Sequence, residues 1–352
     1  MSPFTVVLIV PTGVGAAIGG YAGDALPVAK AIAKICDRLI THPNVLNGAQ
    51  LYWPLDNTFY VEGYGLDRFA AQEWGLRPVR QNRVGLLLDR GIEPELRLRH
   101  LQAADATRAT LGLNLTDYVV SDAPLEVELR ASDSGASWGT IGNPGSLLRA
   151  ADKLINQGGA EAIAVVARFP DDLDSLALQN YRHGEGVDHL AGAEAIISHL
   201  IVRNFQIPAA HAPALMPLPV DSEVSPRAAA EELGYTFLPC VLVGLSRAPQ
   251  FMTNFQSRDH NHNSIWAESV DAVIVPYSAC GGSAIMSFSN SSAQIIAVEA
   301  NSTQMQVPPE PLGIKVTKVK NYLEALGVLV AHRAGIDFRV LNPSLSSLRC
   351  LS

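Results

Sequence analysis

The sequence contains few charged residues and no excess of basic ones. Charged side chains make up 17% of the 352 residues, and 34 acidic against 26 basic residues give a formal net charge of −8. A surface that binds nucleic acid or an anionic membrane needs positive charge, because phosphate backbones and acidic headgroups are negative. We therefore expect no nucleic-acid partner and no membrane partner.

Cysteine is also scarce. Cys36, Cys240, Cys280 and Cys350 lie far apart and form no C-x-x-C pair. Such spacing is typical of free thiols in a reducing compartment. It predicts a chain without disulfides.

Long apolar runs are missing as well. The apolar residues 4–10 follow no basic segment, and neither they nor any later run reaches the length that spans a bilayer. We interpret residues 4–10 as a strand and expect a cytoplasmic protein, or one of the chloroplast stroma if the chain comes from a plastid lineage. Hydrophobic residues still reach 48%, enough for an ample core.

Short β-branched runs recur along the chain, and most are followed by a Gly/Pro turn and a helical pattern. This alternation is typical of α/β proteins with Rossmann-like βα units around a mostly parallel sheet, in one large or two related domains. The predicted helices are residues 26–36, 93–111, 146–156, 190–204, 227–233 and 318–334. The predicted strands are residues 5–10, 83–88, 117–120, 162–167, 237–243, 271–275 and 294–298.

A stretch of small and polar residues, 131–145, is the predicted linker or long loop. It divides the chain into an N-terminal α/β domain, residues 1–135, and a second α/β domain, residues 136–352. A second polar stretch, residues 254–264, is predicted to cover a site or to lie on the surface.

The strongest local signal is a glycine-rich turn after the first predicted strand, in residues 11–24. Bare backbone can approach an anion closely, and the next helix adds partial positive charge. We therefore expect a small anionic or phosphorylated ligand on Gly13, Gly15, Gly19 and Gly20, oriented by Asp24. The alternative is a turn that only permits tight packing, with Asp24 as a helix cap.

The spacing of this turn does not identify a cofactor. The third glycine falls one residue late for a dinucleotide fingerprint, and no Lys-Ser/Thr pair completes a P-loop. Neither NAD nor ATP is specifically indicated, and the cofactor stays open.

A second glycine turn follows the strand predicted at residues 271–275. Cys280 is a candidate nucleophile, since a helix N-terminus favours the thiolate, and Ser283 with the amides of Gly281 and Gly282 is suited to hold a substrate oxygen. The alternative is a close backbone turn with a small buried thiol.

Polar residues follow other strands. His42, Asn44 and Asn47 are suited to fix a polar ligand, or else to stabilise a loop by Asx turns. His211, beside Pro213, is a candidate acid or base.

Two further strand ends carry candidates. Arg168 precedes several aspartates, a set that could clamp an anion or coordinate magnesium, or simply form a solvated acidic loop. Glu299 and Asn301 follow the strand at residues 294–298 and are expected to orient a hydroxylated ligand.

The remaining histidines give no metal-binding pattern. His199 has Glu194 five residues earlier, whereas facing ligands on a helix are three or four residues apart. We interpret His199 as a core histidine, and His260 and His262 as surface residues.

Several segments together resemble one family. The chain is similar to the uncharacterised family of cyanobacteria and chloroplasts called domain of unknown function 3326, over nearly all of its length. The segments that carry the resemblance are residues 13–24, 41–47, 60–68, 88–95, 164–170, 211–213 and 239–249. The resemblance carries over no catalytic residue.

A shorter likeness is to two-lobed nucleotide-sugar glycosyltransferases of the lipid-A-disaccharide synthase kind. It rests on residues 19–25 and 281–284, each before a helix. The chain is small for two full lobes, and its acidic loops do not indicate a diphosphate clamp.

These signals favour an enzyme that acts on a small anionic metabolite where parallel strands end. The alternatives are a non-catalytic ligand-binding or assembly protein and a nucleotide-sugar transferase-like protein. Self-association into a homo-oligomer stays open.

Overall fold

The computed structural model describes residues 2–47, 53–171, 175–235, 238–253, 263–345, 347, 348 and 350. Most of the polar stretch predicted at residues 254–264, with His260 and His262, lies outside the described residues. The aspartates at positions 172 and 174 lie outside them as well.

The first sheet has six parallel strands, in the spatial order β14-β13-β12-β1-β2-β3. Numbered by their own succession in the chain, these strands follow the order 3-2-1-4-5-6 of doubly wound nucleotide-binding folds. The order reverses between β1 and β12, where such folds open a crevice. The strands are β1 Thr5–Leu8, β2 Arg38–Thr41, β3 Thr58–Tyr60, β12 Ala272–Pro276, β13 Gln294–Val298 and β14 Thr317–Val319.

The second sheet has four parallel strands, in the order β10-β9-β5-β6. Its strands are β5 Val84–Leu88, β6 Leu115–Val120, β9 Ala162–Arg168 and β10 Ala209–Ala214. Two small antiparallel pairs complete the described strands: β4 Gly75–Arg77 with β11 Gln250–Met252, and β7 Val127–Ala131 with β8 Ser137–Ile141.

Helices connect and cover the sheets. Because β1, β5 and β12 are buried along their whole length, they are apolar apart from Thr5 rather than alternating. The predicted α/β fold with βα units around mostly parallel sheets is confirmed. The α-helices are α1 Leu26–Ala33, α2 Pro43–Leu46, α3 Gly63–Ala70, α4 Pro94–Leu111, α5 Pro144–Asn156, α6 Leu176–Arg182, α7 Ala191–Phe205, α8 Pro226–Ala230, α9 Leu238–Ser246, α10 Ser283–Phe288 and α11 Tyr322–Arg333.

Two predicted elements are wrong. The strand predicted at residues 237–243 is the helix α9 over its described part. Its run is apolar on every side, so hydrophobic periodicity cannot separate a buried strand from a buried helix. The linker predicted at residues 131–145 is instead largely the β7–β8 hairpin, which turns at Gly135 with a φ of 82°.

The short helix α8 begins as predicted, because the Ser225 side chain accepts a hydrogen bond from the amide of Ala228. A π-helical turn, Glu231–Tyr235, continues it beyond residue 233, where the predicted helix ends.

Both larger sheets take strands from each side of residue 135. In the first sheet β1 pairs with β12, and in the second β5 pairs with β9. The sheets therefore do not follow the boundary between residues 135 and 136 that the sequence suggests.

Candidate functional site

A cavity of about 900 Å³ opens where strands of both sheets end. Thr12, His42, Glu62 and Ser283 reach it from the segments after β1, β2, β3 and β12, and His211 reaches it from β10. It therefore includes the point where the strand order of the first sheet reverses, the usual ligand position in open parallel sheets. We call it the central cavity.

The polar lining of the central cavity is acidic. Among the described residues, seven carboxyl side chains line it, against a single guanidinium, that of Arg182. Arg182 is already paired with Glu232, whose Oε1 lies 2.8 Å from Nε. The other six acidic residues are Glu62, Asp67, Asp188, Glu194, Asp221 and Glu231.

Glu62 and His199 form one carboxylate–imidazole pair. Glu62 caps α3, since its Oε2 accepts hydrogen bonds from the amides of Tyr64 (2.7 Å) and Gly65 (3.2 Å). Its other carboxylate oxygen contacts His199 Nδ1. A carboxylate beside Nδ1 favours a proton on that nitrogen, so the neutral ring carries its lone pair on Nε2, the arrangement of an oriented general base.

The electrostatics of this pair strengthen His199 as a base. Burial by itself lowers the pKa of His199, but the hydrogen bond to Glu62 and the charges of Glu62 and Asp67 outweigh it and raise that pKa. Burial raises the pKa of Asp67, partly offset by the charge of His199. The pKa values of His199 and Asp67 are therefore both higher than those of the free side chains.

A second imidazole is held on the same cavity. His211 Nδ1 lies 3.2 Å from Ser198 Oγ, and His211 Nε2 lies 3.6 Å from Glu194 Oε2. Ser198 and Glu194 are both on α7, whereas His211 is on β10. The packing of α7 against β10 therefore assembles this group.

Asp188 and Glu231 are acids with raised pKa values. Burial raises the pKa of Asp188 well above its usual range, and the charges of Glu231 and Glu194 add to it. Burial also raises the pKa of Glu231, to about 7. Glu231 Oε2 accepts hydrogen bonds from Tyr181 Oη (2.7 Å) and from the amide of Ala22 (2.9 Å). Near neutral pH the carboxyl of Glu231 is therefore partly protonated and can donate a proton.

His42 differs from the other imidazoles of the cavity. Burial lowers its pKa to about 4, and its Nε2 accepts a hydrogen bond from the amide of Val10 at 3.0 Å. Asn44 donates to the carbonyl of Gly19 (2.7 Å), and Asn47 accepts from Tyr60 Oη (3.0 Å). These three predicted residues line the cavity and also fix its wall.

Comparison with known proteins identifies the family. The family model described as "Protein of unknown function (DUF3326)" matches residues 5–342. The chain belongs to this family. A relative from Synechococcus sp., named "Uncharacterized lipoprotein", is 61% identical over 339 residues, which cover 96% of this chain and 93% of the relative. No solved structure matches the chain.

The family resemblance that the sequence indicated is therefore confirmed over nearly the whole chain. The word lipoprotein is part of the relative's name. Among the described residues of this family member, no single helix is long and apolar enough to cross a membrane. The segments Pro226–Leu233 and Leu238–Ser246 meet that test only together, with an 81° bend between them.

In this family member the glycine-rich turn is packed against protein atoms. A Cβ on Gly13 would lie 2.6 Å from Ser137 Oγ, and one on Gly19 would lie 2.5 Å from Val10 Cγ1. Gly13 and Gly19 therefore have a packing role, which is the alternative that the sequence left open. Gly15 and Gly20 line a smaller, separate cavity of about 490 Å³.

Several amides of this turn are bound by protein acceptors. Asn301 accepts from the amide of Ile18 at 2.8 Å and donates to its carbonyl at 2.9 Å. Asp24 accepts from the amide of Gly19 and pairs with Arg227 at 2.6 Å. Asp24 and Asn301 thus hold the turn itself, and neither lines the central cavity.

Cys280 has the features of the alternative that the sequence left open, a small buried thiol. The residue is 0% exposed, and burial raises the pKa of its thiol to about 11. The residues after Cys280 have different surroundings. Gly281 packs against Val307, whereas Gly282 and Ser283 line the central cavity.

Arg168 and Glu299 lie outside the central cavity. Arg168 Nε lies 2.9 Å from Glu93 Oε2, and its Nη2 contacts Asp171. Glu299 pairs with Lys318 at 2.9 Å. Both charges are matched within the protein, so neither geometry supports the predicted ligand contact.

Sequence reasoning gave no site role to five acid–base residues of the cavity: Glu62, Asp188, Glu194, His199 and Glu231. A glutamate directly before a glycine at a strand–helix junction, as at Glu62, signals a helix cap and so a defined position. The spacing of four residues between Glu194 and Ser198 signals a shared helix face. His199, Asp188 and Glu231 carry no comparable signal. Among the described residues, no group of three or more His, Cys, Asp or Glu side chains is placed to hold a metal ion.

Proposed function

We propose that this protein is an enzyme that binds a small molecule in the central cavity and transfers protons on it through its carboxylate–imidazole pairs. The observation that carries the proposal is the convergence of Glu62–His199 and Glu194–His211 on one cavity, beside desolvated carboxyls. A small non-catalytic pocket does not need titratable groups in opposed environments, whereas acid–base catalysis does.

Each group has a role that follows from its environment. His199, held through Nδ1 by Glu62, presents Nε2 as the base. Glu231, with a pKa of about 7, can keep a proton near neutral pH and serve as the acid. Groups with pKa values near the working pH are the most effective in proton transfer.

The charged side chains that line the central cavity limit the charge of the ligand that it can bind. The sequence predicts an anionic or phosphorylated ligand, but the single guanidinium among the described lining residues, that of Arg182, is engaged by Glu232 and is not free to bind a phosphate. The lining instead favours a neutral or cationic small molecule with hydrogen-bonding groups.

A binding experiment tests the site. A thermal-shift panel of amines, amino acids, sugars, nucleotides and phosphorylated metabolites should contain a stabilising compound, worth about 2.7 kcal/mol at 100-fold excess over Kd. Glu62→Gln and His199→Gln should lose that stabilisation. Glu73→Gln is the matched control, because Glu73 forms an exposed ion pair with Arg68 outside the cavity.

Turnover of the same compound separates the two classes of function. If the protein is an enzyme, mass spectrometry should detect a product, formed about 10²–10⁴-fold more slowly by His199→Gln. Binding without a product would instead support the non-catalytic ligand-binding or assembly protein. A stabilising compound that is phosphorylated and still binds Glu62→Gln would contradict the proposed site.

A further inference from the structure

We infer that Ser198 is a nucleophile, activated by His211 and Glu194, that transfers acyl groups from an ester or thioester bound in the central cavity. The inference rests on the proposed function, because it places a covalent step in the same cavity. It assigns the reaction class that the acid–base groups alone leave open.

The positions of the three residues follow from α7 and β10. Glu194 and Ser198 are four residues apart, so they lie on the same face of α7. That face meets β10, where His211 lies between them, 3.2 Å from Ser198 Oγ and 3.6 Å from Glu194 Oε2. All three side chains line the cavity.

The two nitrogens of His211 have the roles that a catalytic triad requires. One nitrogen, Nδ1, is placed to accept the serine proton, and the other, Nε2, faces a carboxylate that stabilises the imidazolium. The nitrogens have exchanged partners relative to the chymotrypsin arrangement, but a triad is defined by geometry and roles rather than by which nitrogen is used. The interaction between Glu194 Oε2 and His211 Nε2, 3.6 Å apart, becomes stronger once His211 is charged.

The reaction balances with water as the co-reactant. Ser198 Oγ attacks the acyl carbon while its proton passes to His211 Nδ1, and the alcohol or thiol leaves with that proton. His211 then takes a proton from water, whose oxygen attacks the acyl-serine. The acid is released, and the proton returns to Ser198 Oγ.

A structural role makes a different prediction. Ser198 Oγ also lies 3.3 Å from the carbonyl of Ala195, a local bond that many helical serines form. A serine with only that role has the reactivity of an ordinary alcohol and would ignore an electrophile that reacts with activated serines.

A fluorophosphonate probe distinguishes these roles. The probe forms an Oγ–phosphorus bond with an activated serine and loses fluoride, so digestion and mass spectrometry locate the adduct. The full-length protein should be labelled on Ser198, and Ser198→Ala should not be labelled. His211→Gln and Glu194→Gln should be labelled more slowly, the former by about 10²–10⁴-fold.

Ser246→Ala is the matched control. Ser246 is as buried as Ser198, at 2% exposure, and also donates to the carbonyl three residues earlier, that of Val243, at 2.7 Å. It lies outside the central cavity, so this variant should be labelled at the rate of the unmodified chain. Circular dichroism and the melting temperature should be measured to check that each variant is folded.

An unlabelled protein, labelling at another residue, or equal labelling of Ser198→Ala would overturn the inference. These outcomes are separable from the proposed function. A compound whose binding depends on Glu62 and His199 would still support that function when the probe does not react.

Discussion

Glu231 illustrates how neighbours decide the state of a single ionisable residue. Its carboxyl lies near Glu194 and Asp24, whose charges raise its pKa, while Tyr181 and the amide of Ala22 stabilise its ionised form. Burial is the largest effect, and the pKa rises from 4.5 to about 7. The residue is therefore a carboxylic acid at pH values where an exposed glutamate is a carboxylate.

This raised pKa predicts a dependence of stability on pH. A group whose pKa is higher in the folded state contributes stability that is fully present below its unfolded pKa, here 4.5, and lost as the pH rises through about 7. The loss is of the order of 3 kcal/mol, because the pKa rises from 4.5 to about 7 on folding. Glu231→Gln cannot ionise, and its amide oxygen can accept both existing hydrogen bonds. Its free energy of unfolding should fall less between pH 5 and pH 8, as measured by urea denaturation.

Glu73→Gln serves as the control for this prediction, because Glu73 is exposed and lies away from Glu231. That variant should keep the pH dependence of the unmodified chain. An unchanged pH dependence in Glu231→Gln would show that Glu231 ionises at its ordinary pKa.

At the scale of an element, the turn between β1 and α1 is a packed structure held by side chains from distant parts of the chain. Asn301, from the segment after β13, brackets Ile18, and Asn44, from α2, donates to the carbonyl of Gly19. Gly19 itself has a φ of 94° and lies against Val10. The glycine density thus reflects the close approach of other elements.

The packing role of Gly19 predicts a loss of stability that is independent of any ligand. In Gly19→Ala the left-handed backbone costs about 1–2 kcal/mol and the contact with Val10 about 1–3 kcal/mol more. The free energy of unfolding should therefore fall by roughly 2–5 kcal/mol in urea denaturation without added ligand.

Gly282→Ala is the matched control. Gly282 has a φ of −70°, and a Cβ there meets no atom within 4 Å. Its stability should stay within about 0.5 kcal/mol of the unmodified chain. Equal stability of Gly19→Ala and Gly282→Ala would contradict the packing role and return the turn to a ligand-binding role.

At the scale of the whole molecule, the two larger sheets are each built from both halves of the chain. The strands β1, β2 and β3 come before residue 135 and β12, β13 and β14 after it, yet all six form one sheet. The central cavity likewise draws Glu62 from the first half and His199 from the second. The acid–base pair therefore exists only when both halves fold together.

This interleaving predicts that the halves do not fold separately. Residues 1–135 and 136–352, produced as individual fragments, should each lack a cooperative thermal transition in circular dichroism, because β1 without β12 and β5 without β9 leave apolar strand edges uncovered. A sharp transition in either fragment alone would instead support two independent domains at that boundary.

The intact chain cut after Gly135 is the control. Gly135 turns the β7–β8 hairpin, and open space surrounds the position of its missing Cβ. The cut chain should keep its fold and its melting transition, since the sheets still hold both parts together.

Helices and strands were predictable from the sequence where a few neighbouring residues carry the signal. The strand at residues 294–298 and the helix ending at Leu111 match the structure, because a buried apolar run and a glycine at the helix end are sufficient signals. The helix α9 was not predictable, since its neighbours on every side, rather than its own periodicity, determine that it is helical.

The sequence by itself determined the βα units, the mostly parallel sheets and the polar residue His42 at a strand end, because periodicity and turn residues act over a few positions. Only the tertiary structure decided that Glu62 meets His199, that Ser198 meets His211, and that Cys280 is buried. These pairings depend on strand order and on how α7 packs, and both are set by contacts between residues far apart in the chain. The charge of the cavity was decided in the same way, because single acids from separate segments of the chain become one acidic lining only when the two sheets meet.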